Sequence, residues 1–188
     1  MISKPNGYDT TQAFGGGNAR LTAGAHVCVI TNAYMRPTQS GKQMLCCDLD
    51  INEGSEFDAM FRKKYDSTGK WACTFRTFIE GLDGGTSGFF KGLVEAVAKS
   101  NNGFDLFTDG NGNERTLAGK SVGMMFREEE FEGQDGQVHT SVKPFYAMSA
   151  DDVRAGGWTT PNLKRLTNRP AASGFEPVVD DNDELPFD

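Results

Sequence analysis

Residues Gln43–Ile51 read QMLCCDLDI, and this stretch decides the fold class. Its side chains separate into two alternating sets, and one set is entirely apolar. The apolar set is Leu45, Cys47, Leu49 and Ile51, and the other set is Met44, Cys46, Asp48 and Asp50. Successive side chains of a β-strand point to opposite faces of the sheet. The stretch therefore predicts a strand with one face in a hydrophobic core and the other face in water.

Outward from this strand, four other stretches have the composition of strands. They are residues 26–34, 57–65, 120–131 and 137–148. β-Branched and aromatic residues are frequent in them, and turns with Gly, Pro or Asn separate most of them. With Gln43–Ile51, the sequence predicts five strands.

One stretch has the periodicity of a helix. Apolar side chains recur with helical spacing from Phe89 to Val97. Thr86 or Ser87 can cap its start, and residues 101–103 (NNG) supply a stop. We expect the main helix of the protein here.

Three strands, a helix and two more strands form the element order of an OB-type barrel. We therefore expect an all-β fold with one main helix, in which a five-stranded OB-type β-barrel has its helix between the third and fourth strands. Residues 25–155 would form this domain, closed by a short helix at residues 149–155. Residues 1–24 are predicted as a flexible arm, and residues 156–188 as a linker followed by a disordered acidic tail.

The stretch of residues 61–78 mixes cations with aromatic rings and holds one acid, Asp66. Binding of a single nucleic-acid strand needs both components, because cations follow the phosphates and rings stack on unpaired bases. On a strand over residues 57–65, the side chains of Met60, Arg62 and Lys64 would point outward. The alternative interpretation is that the rings are ordinary core and the cations are a charged strand edge that opposes aggregation.

The first predicted turn adds further cations, where an OB barrel has its first binding loop. We therefore predict a binding site for single-stranded DNA on this side of the barrel. Its candidate residues are Tyr34, Arg36, Lys42, Met60, Arg62, Lys63, Lys64, Tyr65, Trp71 and Arg76.

Candidate catalytic residues do not form a recognisable pattern. His26 and His139 each fall inside a predicted strand without a neighbouring nucleophile, which favours structural roles. Asp48 and Asp50, with the acidic residues 128–130, could in principle hold two Mg²⁺ ions for phosphodiester cleavage. Strand carboxylates that face water are far more common. We therefore predict that the protein is not an enzyme and uses no cofactor or metal.

Cysteine usage and hydropathy favour a cytoplasmic protein. The four cysteines form no CxxC pair, and the adjacent Cys46 and Cys47 would point to opposite faces of a strand. Reduced thiols in a cytosol are the expected state. No apolar stretch approaches the roughly 20 residues of a transmembrane helix, so no membrane partner is expected. Residues 1–8 lack the apolar core of a signal peptide.

The net charge of −7 is concentrated at the C-terminal end of the sequence. Residues 176–188 carry six acids and no base, and the remainder carries 20 acids against 19 bases. The body is therefore compatible with a polyanionic ligand. After the acids comes an apolar tip, which suits a hydrophobic pocket ringed by cations on a partner protein. The predicted partner-binding residues are Asp180, Asp181, Asp183, Glu184, Leu185, Pro186 and Phe187.

This ending, DDNDELPFD, resembles the C-terminus of bacterial single-stranded DNA-binding proteins. There, an acidic run closes on a hydrophobic Pro-Phe tip that binds replication and repair proteins. The present sequence departs from that pattern by one residue, because Asp188 follows Phe187. The resemblance implies that replication, recombination or repair proteins bind the tail.

The body of the chain, from about Ala23 to Leu166, resembles a family of phage and prophage single-stranded DNA-binding proteins. The resemblance is carried by FFKGLVEAVAKSN at residues 89–101, LAGKSVG at residues 117–123 and EEEFEGQDGQV at residues 128–138. It implies an OB-type barrel that coats single strands during phage replication or recombination.

Two other functions stay open at this level. One is a protein-interaction or recombination-mediator module whose barrel binds another protein. The other, less favoured, is a Mg²⁺-dependent nuclease. The oligomeric state is also open, and homo-oligomers are among the options.

Overall fold

The computed structural model describes Lys4 and residues 20–166 of the chain. Strands account for most of its regular structure. In chain order, the elements are β1 (Gly24–Pro37), β2 (Gln43–Ile51), α1 (Met60–Thr68), β3 (Thr74–Phe78), α2 (Gly88–Ser100), a 3-10 helix (Glu114–Leu117), β4 (Ser121–Glu132), β5 (Val138–Met148) and α3 (Ala150–Ala155). Most of the predicted arm, and the predicted tail beyond Leu166, lie outside the described residues.

The described strands form one antiparallel five-stranded sheet in the order β3-β2-β1-β4-β5. The long strand β1 joins its two halves, since it pairs with both β2 and β4. Cα atoms of β3 and β5 come within 8 Å of each other. No hydrogen-bonded ladder joins these two edge strands in the described part of the chain. The sheet is therefore open, and the closed barrel predicted from the sequence is not observed.

The predicted core face of β2 is confirmed. Leu45, Cys47, Leu49 and Ile51 are each at most 2% exposed, and they belong to one hydrophobic core. The alternation in QMLCCDLDI thus identified the buried side of the central strands.

The predicted main helix is confirmed as α2, between β3 and β4 in the chain. Ser87 occupies its N-cap position. Its buried side chains are Phe90, Leu93, Ala96 and Val97. At its end, the side-chain amide of Asn101 donates to the carbonyl oxygens of Val97 and Ser121, at 2.7 and 2.8 Å. This amide ties the end of α2 to the start of β4.

The predicted third strand at residues 57–65 is wrong, because the chain forms helix α1 from Met60 onward. Phe57, Met60 and Phe61 have the i, i+3, i+4 spacing of a helix as well, and all three pack half-buried against the core. The third strand of the sheet is Thr74–Phe78, within the stretch of residues 61–78 that mixes cations with aromatic rings.

The prediction that the second face of β2 lies in water is also wrong. Cys46, Asp48 and Asp50 are only 0%, 9% and 5% exposed. Asp48 accepts a hydrogen bond from Thr74 Oγ1 at 2.7 Å and one from Asn32 Nδ2 at 3.4 Å. The face is polar but covered, because side chains of the adjacent strands contact Asp48 and the start of α1 contacts Asp50.

The predicted short helix is confirmed as α3, whose N-cap Ser149 accepts a hydrogen bond from the N–H of Asp152 at 3.1 Å. After α3 the chain stays against the sheet, where Lys164 pairs in parallel with Glu129 of β4. Among the helices of residues 20–166, none combines the length and apolar character needed to cross a membrane.

Candidate nucleic-acid interface

Strands β1, β2 and β3 lie side by side and share a face directed away from the hydrophobic core. Side chains that pair across the three strands line up on it in three rows. The rows are Arg36–Met44–Phe78, Tyr34–Cys46–Arg76 and Asn32–Asp48–Thr74. We refer to these residues as the three-strand face.

One end of the three-strand face combines aromatic rings with guanidinium groups. Arg36 and Arg76 are exposed, the ring of Phe78 is 43% exposed, and Tyr34 is half-buried. Burial raises the pKa of Tyr34, Asp48 adds to the rise, and the positive charges of Arg76 and Arg36 oppose it. Both guanidinium groups therefore act on the phenol. Rings bordered by cations are the combination that stacks on bases and neutralises phosphates.

The thiol of Cys46 lies at the centre of this end. Burial raises its pKa, while the charges of Arg76 and Arg36 and a hydrogen bond from Arg76 lower it. Arg76 of β3 is the cross-strand neighbour of this thiol.

The far end of the interface lies beyond the third row, where Asp50 contacts the start of α1. There the guanidinium of Arg62 lies 5.2 Å from the centroid of the Trp71 ring. The Tyr65 and Trp71 rings are 5.5 Å apart and tilted by 51°. Trp71 Nε1 donates to the carbonyl oxygen of Cys73 at 2.8 Å, which fixes the indole. A second group of rings and a cation therefore lies near the Asp50 end of β2.

Helix α1 divides the basic cluster predicted at residues 62–64. With 3.6 residues per turn, Arg62 and Tyr65 lie on one side of α1, and Lys63, Lys64 and Met60 lie on the other. The latter three line a separate cleft. The prediction that Met60, Arg62 and Lys64 share one outward strand face is therefore wrong.

The structure thus brings the predicted site residues together in two groups. Tyr34, Arg36 and Arg76 meet at one end, and Arg62, Tyr65 and Trp71 meet at the other. Lys42 is exposed in the β1–β2 turn, next to the Arg36 end, where its carbonyl oxygen accepts the N–H of Thr38 at 2.9 Å.

Sequence reasoning did not select Met44, Cys46 and Phe78, which complete the first two rows. Phe78 closes the stretch that the sequence analysis identified as rich in rings and cations. Its position opposite Met44 follows only from the register of β3 against β2. The partner-binding residues predicted at positions 180–187 lie outside the described residues.

The two histidines make local contacts. In buried His26, Nδ1 lies 3.0 Å from Glu53 Oε1 and Nε2 lies 3.0 Å from the carbonyl oxygen of Thr22. His139 Nε2 lies 3.0 Å from the carboxylate of Asp135, and this hydrogen bond lowers the pKa of Asp135.

The carboxylates considered for magnesium also have partners within the fold. Asp50 accepts backbone N–H groups, and Glu129 lies within 4.0 Å of Arg127, Lys143 and Lys164. Across Lys4 and residues 20–166, no three His, Cys, Asp or Glu side chains group as metal ligands.

Comparisons with known proteins do not assign a function to this site. Neither protein-family models nor curated protein sequences gave a match to this chain. A functional assignment therefore depends on the three-strand face and on the sequence patterns described above.

Proposed function

We propose that this protein binds single-stranded DNA on the three-strand face. The observation that carries the proposal is the meeting of Tyr34, Arg36, Arg76 and Phe78 on three adjacent strands. Guanidinium groups there can neutralise phosphates, while exposed rings can stack on bases. Bases offer their flat faces to such rings only when they are unpaired and unstacked, which favours a single strand over a duplex.

The path of the strand runs along β2 toward Arg62, Tyr65 and Trp71. The two carboxylates along this path are already engaged in hydrogen bonds, Asp48 with Thr74 and Asp50 with the start of α1. Their partners reduce the repulsion that these charges would exert on phosphates. A group of rings and cations at each end of this path fits a strand of several nucleotides.

The same proposal includes an OB-type arrangement of the sheet. It is supported by the order β3-β2-β1-β4-β5, by the place of α2 between β3 and β4, and by the approach of β3 to β5 within 8 Å. OB folds bind single strands through their second and third strands and the adjoining loops. The three-strand face includes both strands.

We also propose that the acidic C-terminal segment recruits replication, recombination or repair proteins. The support is its composition, six acids and an apolar tip, and its resemblance to bacterial single-stranded DNA-binding proteins. In this proposal the protein is a non-enzymatic component of phage-type DNA replication or recombination in the cytoplasm of a bacterial cell.

Titration of a labelled oligothymidylate, followed by fluorescence anisotropy, tests the proposal. We expect tight binding of the single strand and much weaker binding of a matched duplex, with an RNA arm to measure preference for the sugar. Arg36→Ala/Arg76→Ala should weaken binding, while Lys91→Ala/Lys99→Ala removes the same charge from exposed positions on α2. Equal affinity for duplex and single strand, or equal losses in the two double variants, would contradict the proposal.

A protein-binding role is the second candidate function, and one observation favours it. Phe89 is 50% exposed, and with Gly88, Gly92, Tyr146 and Ala147 it lines a cleft of about 400 Å³ between α2 and β5. The two glycines, one turn apart, leave the helix surface open. Absence of oligonucleotide binding, together with protein binding that Phe89→Ser abolishes, would favour this function over the first.

A further inference from the structure

A second concave surface lies across α1 from the Arg62–Trp71 group. It is a cleft of about 870 Å³ between α1, β5 and the segment that leads into β1. Its volume falls within the range of about 300–1,000 Å³ that is typical of ligand sites. Nothing in the proposed path along the three-strand face uses it.

Three cations border this cleft against one acid, Glu56. Nη2 of Arg20 donates to the carbonyl oxygen of Thr140 at 3.2 Å, which holds the guanidinium beside β5. Lys63 Nζ donates to the carbonyl oxygen of Asp58 at 3.0 Å. Lys64 is exposed on the α1 wall. The balance of charge favours an anionic ligand.

The hydroxyl groups of the cleft divide into engaged and unengaged ones. Ser67 and Thr68 donate to the carbonyl oxygen of Lys64, at 2.9 and 2.8 Å, so they can offer a ligand only acceptors. On the β5 wall, the Oγ of Ser141 is buried and has no hydrogen-bond partner among the described residues. A buried hydroxyl without a partner is rare enough to require an explanation. Ser141 lines the cleft, so rotation of its side chain would turn this hydroxyl toward an oxygen of a bound ligand.

The remaining lining is apolar. Leu21 is buried, and Met60, Phe61 and Val142 pack half-buried against the core. A ligand that matches the whole cleft therefore has an anionic group at one side and a flat, weakly polar ring at the other.

We propose that this cleft binds a phosphorylated nucleoside unit. The phosphate would lie among Arg20, Lys64 and Ser141, and the base would lie against Met60 and Phe61. This inference rests on the proposed function, because the unit is the continuation of the bound strand after it crosses α1. A free nucleotide has the same chemistry, and the experiment separates these two sources.

Lysine footprinting of the full chain tests the site without any substitution. The protein is acylated with an amine-reactive reagent alone, with an oligothymidylate of about 30 nucleotides, or with thymidine monophosphate, and each lysine is quantified by mass spectrometry. We expect the oligonucleotide to lower the labelling of Lys64 several-fold and to leave Lys91 and Lys99 unchanged. Protection by the mononucleotide alone would assign the site to a free nucleotide. Equal labelling of Lys64 in all arms would overturn the proposal.

Two double variants then locate the contacts. Arg20→Ala/Lys64→Ala should lower affinity for a strand of about 30 nucleotides roughly tenfold, and should leave a strand of about 8 nucleotides unaffected. Arg36→Ala/Arg76→Ala should weaken binding of both lengths. Circular dichroism confirms the fold of each variant. Ser141→Ala, which removes one hydroxyl, should give a smaller loss on the long strand alone.

The outcomes separate this inference from the function on which it rests. If Arg36→Ala/Arg76→Ala lowers the affinity for oligonucleotide and Arg20→Ala/Lys64→Ala does not, DNA binding on the three-strand face is retained. The proposal for the cleft is then overturned. A protein that binds no oligonucleotide, but whose Lys64 is protected by thymidine monophosphate, would overturn DNA binding and retain the cleft as a nucleotide site. If no oligonucleotide binds and thymidine monophosphate does not protect Lys64, both proposals are overturned.

Discussion

The carboxylate of Asp50, on β2, accepts the backbone N–H of Phe61, on α1, at 3.0 Å. Its second oxygen accepts the N–H of Arg62 at 3.3 Å. The residue at the N-cap position itself, Ala59, has a φ of 55° and no side-chain acceptor. Since the first N–H groups of a helix have no partner within it, a strand residue here supplies the missing cap. Asp50 thereby sets where α1 begins and on which side Arg62 and Lys64 lie.

Replacement of Asp50 by Ala should lower the free energy of unfolding by about 2–3 kcal/mol, because two helix N–H groups lose their acceptor in a buried setting. Asp50→Asn keeps one acceptor oxygen and should lose less. Urea unfolding measures the effect, with the m-value expected to stay constant. Asp66→Ala, an exposed acid on the same helix, is the control. The same midpoint in Asp50→Ala and Asp66→Ala would show that the cap contributes nothing.

The cap also explains why the sequence predicted a strand where α1 lies. Residues 57–65 fit a strand by alternation and a helix by the spacing of Phe57, Met60 and Phe61. The interaction that decides between them comes from Asp50, which is on the preceding strand, eleven residues before Phe61, and so lies outside the local pattern. By contrast, α2 was predictable, because its periodicity, Ser87 and the stop at Asn101 all lie within one local stretch.

The candidate site was predictable in composition but not in arrangement. Tyr34 and Arg36 were chosen from the sequence for their place at the first predicted turn, and Arg76 for its place among the rings and cations of residues 61–78. Their meeting on one face depends on the pairing of Tyr34 with Cys46 and of Cys46 with Arg76. Register of this kind is set by tertiary structure, since a shift of one residue moves a side chain to the opposite face.

Phe78→Ala should weaken binding of oligothymidylate by about 1–3 kcal/mol, the range for loss of one stacked base. The ring is 43% exposed, so stability should change little. Phe107→Ala is the matched control, because Phe107 is 60% exposed and lies outside the three-strand face. Isothermal titration calorimetry measures both variants. A loss of affinity in Phe107→Ala as large as that in Phe78→Ala would remove the support for stacking on this face.

The thiols should react slowly in the folded protein. All four cysteines are buried and unpaired, and burial raises the pKa of Cys47 to about 12. Burial likewise raises the pKa values of Cys28 and Cys73. Because the thiolate is the reactive form, a raised pKa leaves little of it near pH 8.

Titration with a coloured disulfide reagent checks this expectation. The native protein should release almost no chromophore within minutes, and the protein in denaturant should release four equivalents. Rapid release of one or more equivalents from the native protein would mean that a cysteine opens to solvent. Cys46, beside the exposed Arg76, would be the first candidate.

Deletion of residues 176–188 should leave the fold intact and leave affinity for a single strand equal or modestly higher. Six acids on the same chain as the DNA-binding face should compete weakly with DNA, and this effect should be largest at low salt, where screening is weakest. Anisotropy titrations at low and high salt measure it. Lower affinity after the deletion would mean that the segment contributes to DNA binding.

Phe187→Ala separates an apolar anchor from a charge effect at the same end of the chain. The substitution leaves all six acids in place, so affinity for DNA should not change. Binding of replication or repair proteins should be lost, as it should be in the deletion. Pull-downs with full-length protein as the reference measure this. If the Phe187→Ala variant still binds the same partners, the segment has no apolar anchor and acts only through its charge.

Trp71 should report the arrival of DNA at the Arg62–Trp71 group, beyond the third row of the three-strand face. The chain has two tryptophans, and they lie in different surroundings. Trp71 contacts Arg62 and Tyr65, whereas the ring of Trp158 lies beside Gly24, with its Nε1 donating to the carbonyl oxygen of Val153 at 3.3 Å.

Stacking of a base on an accessible indole quenches its emission. Addition of oligothymidylate should therefore quench the wild-type protein and the Trp158→Phe variant to a similar extent, while the Trp71→Phe variant should show little quenching. Because Phe keeps a flat ring at position 71, affinity should fall only modestly in that variant, which separates loss of the signal from loss of binding. Arg62→Ala should weaken binding and leave the quenching at saturation in place, since it removes a cation next to the indole but not the indole itself. Quenching that survives in Trp71→Phe and disappears in Trp158→Phe would move the path of the strand to the other side of the sheet, toward β4 and α3.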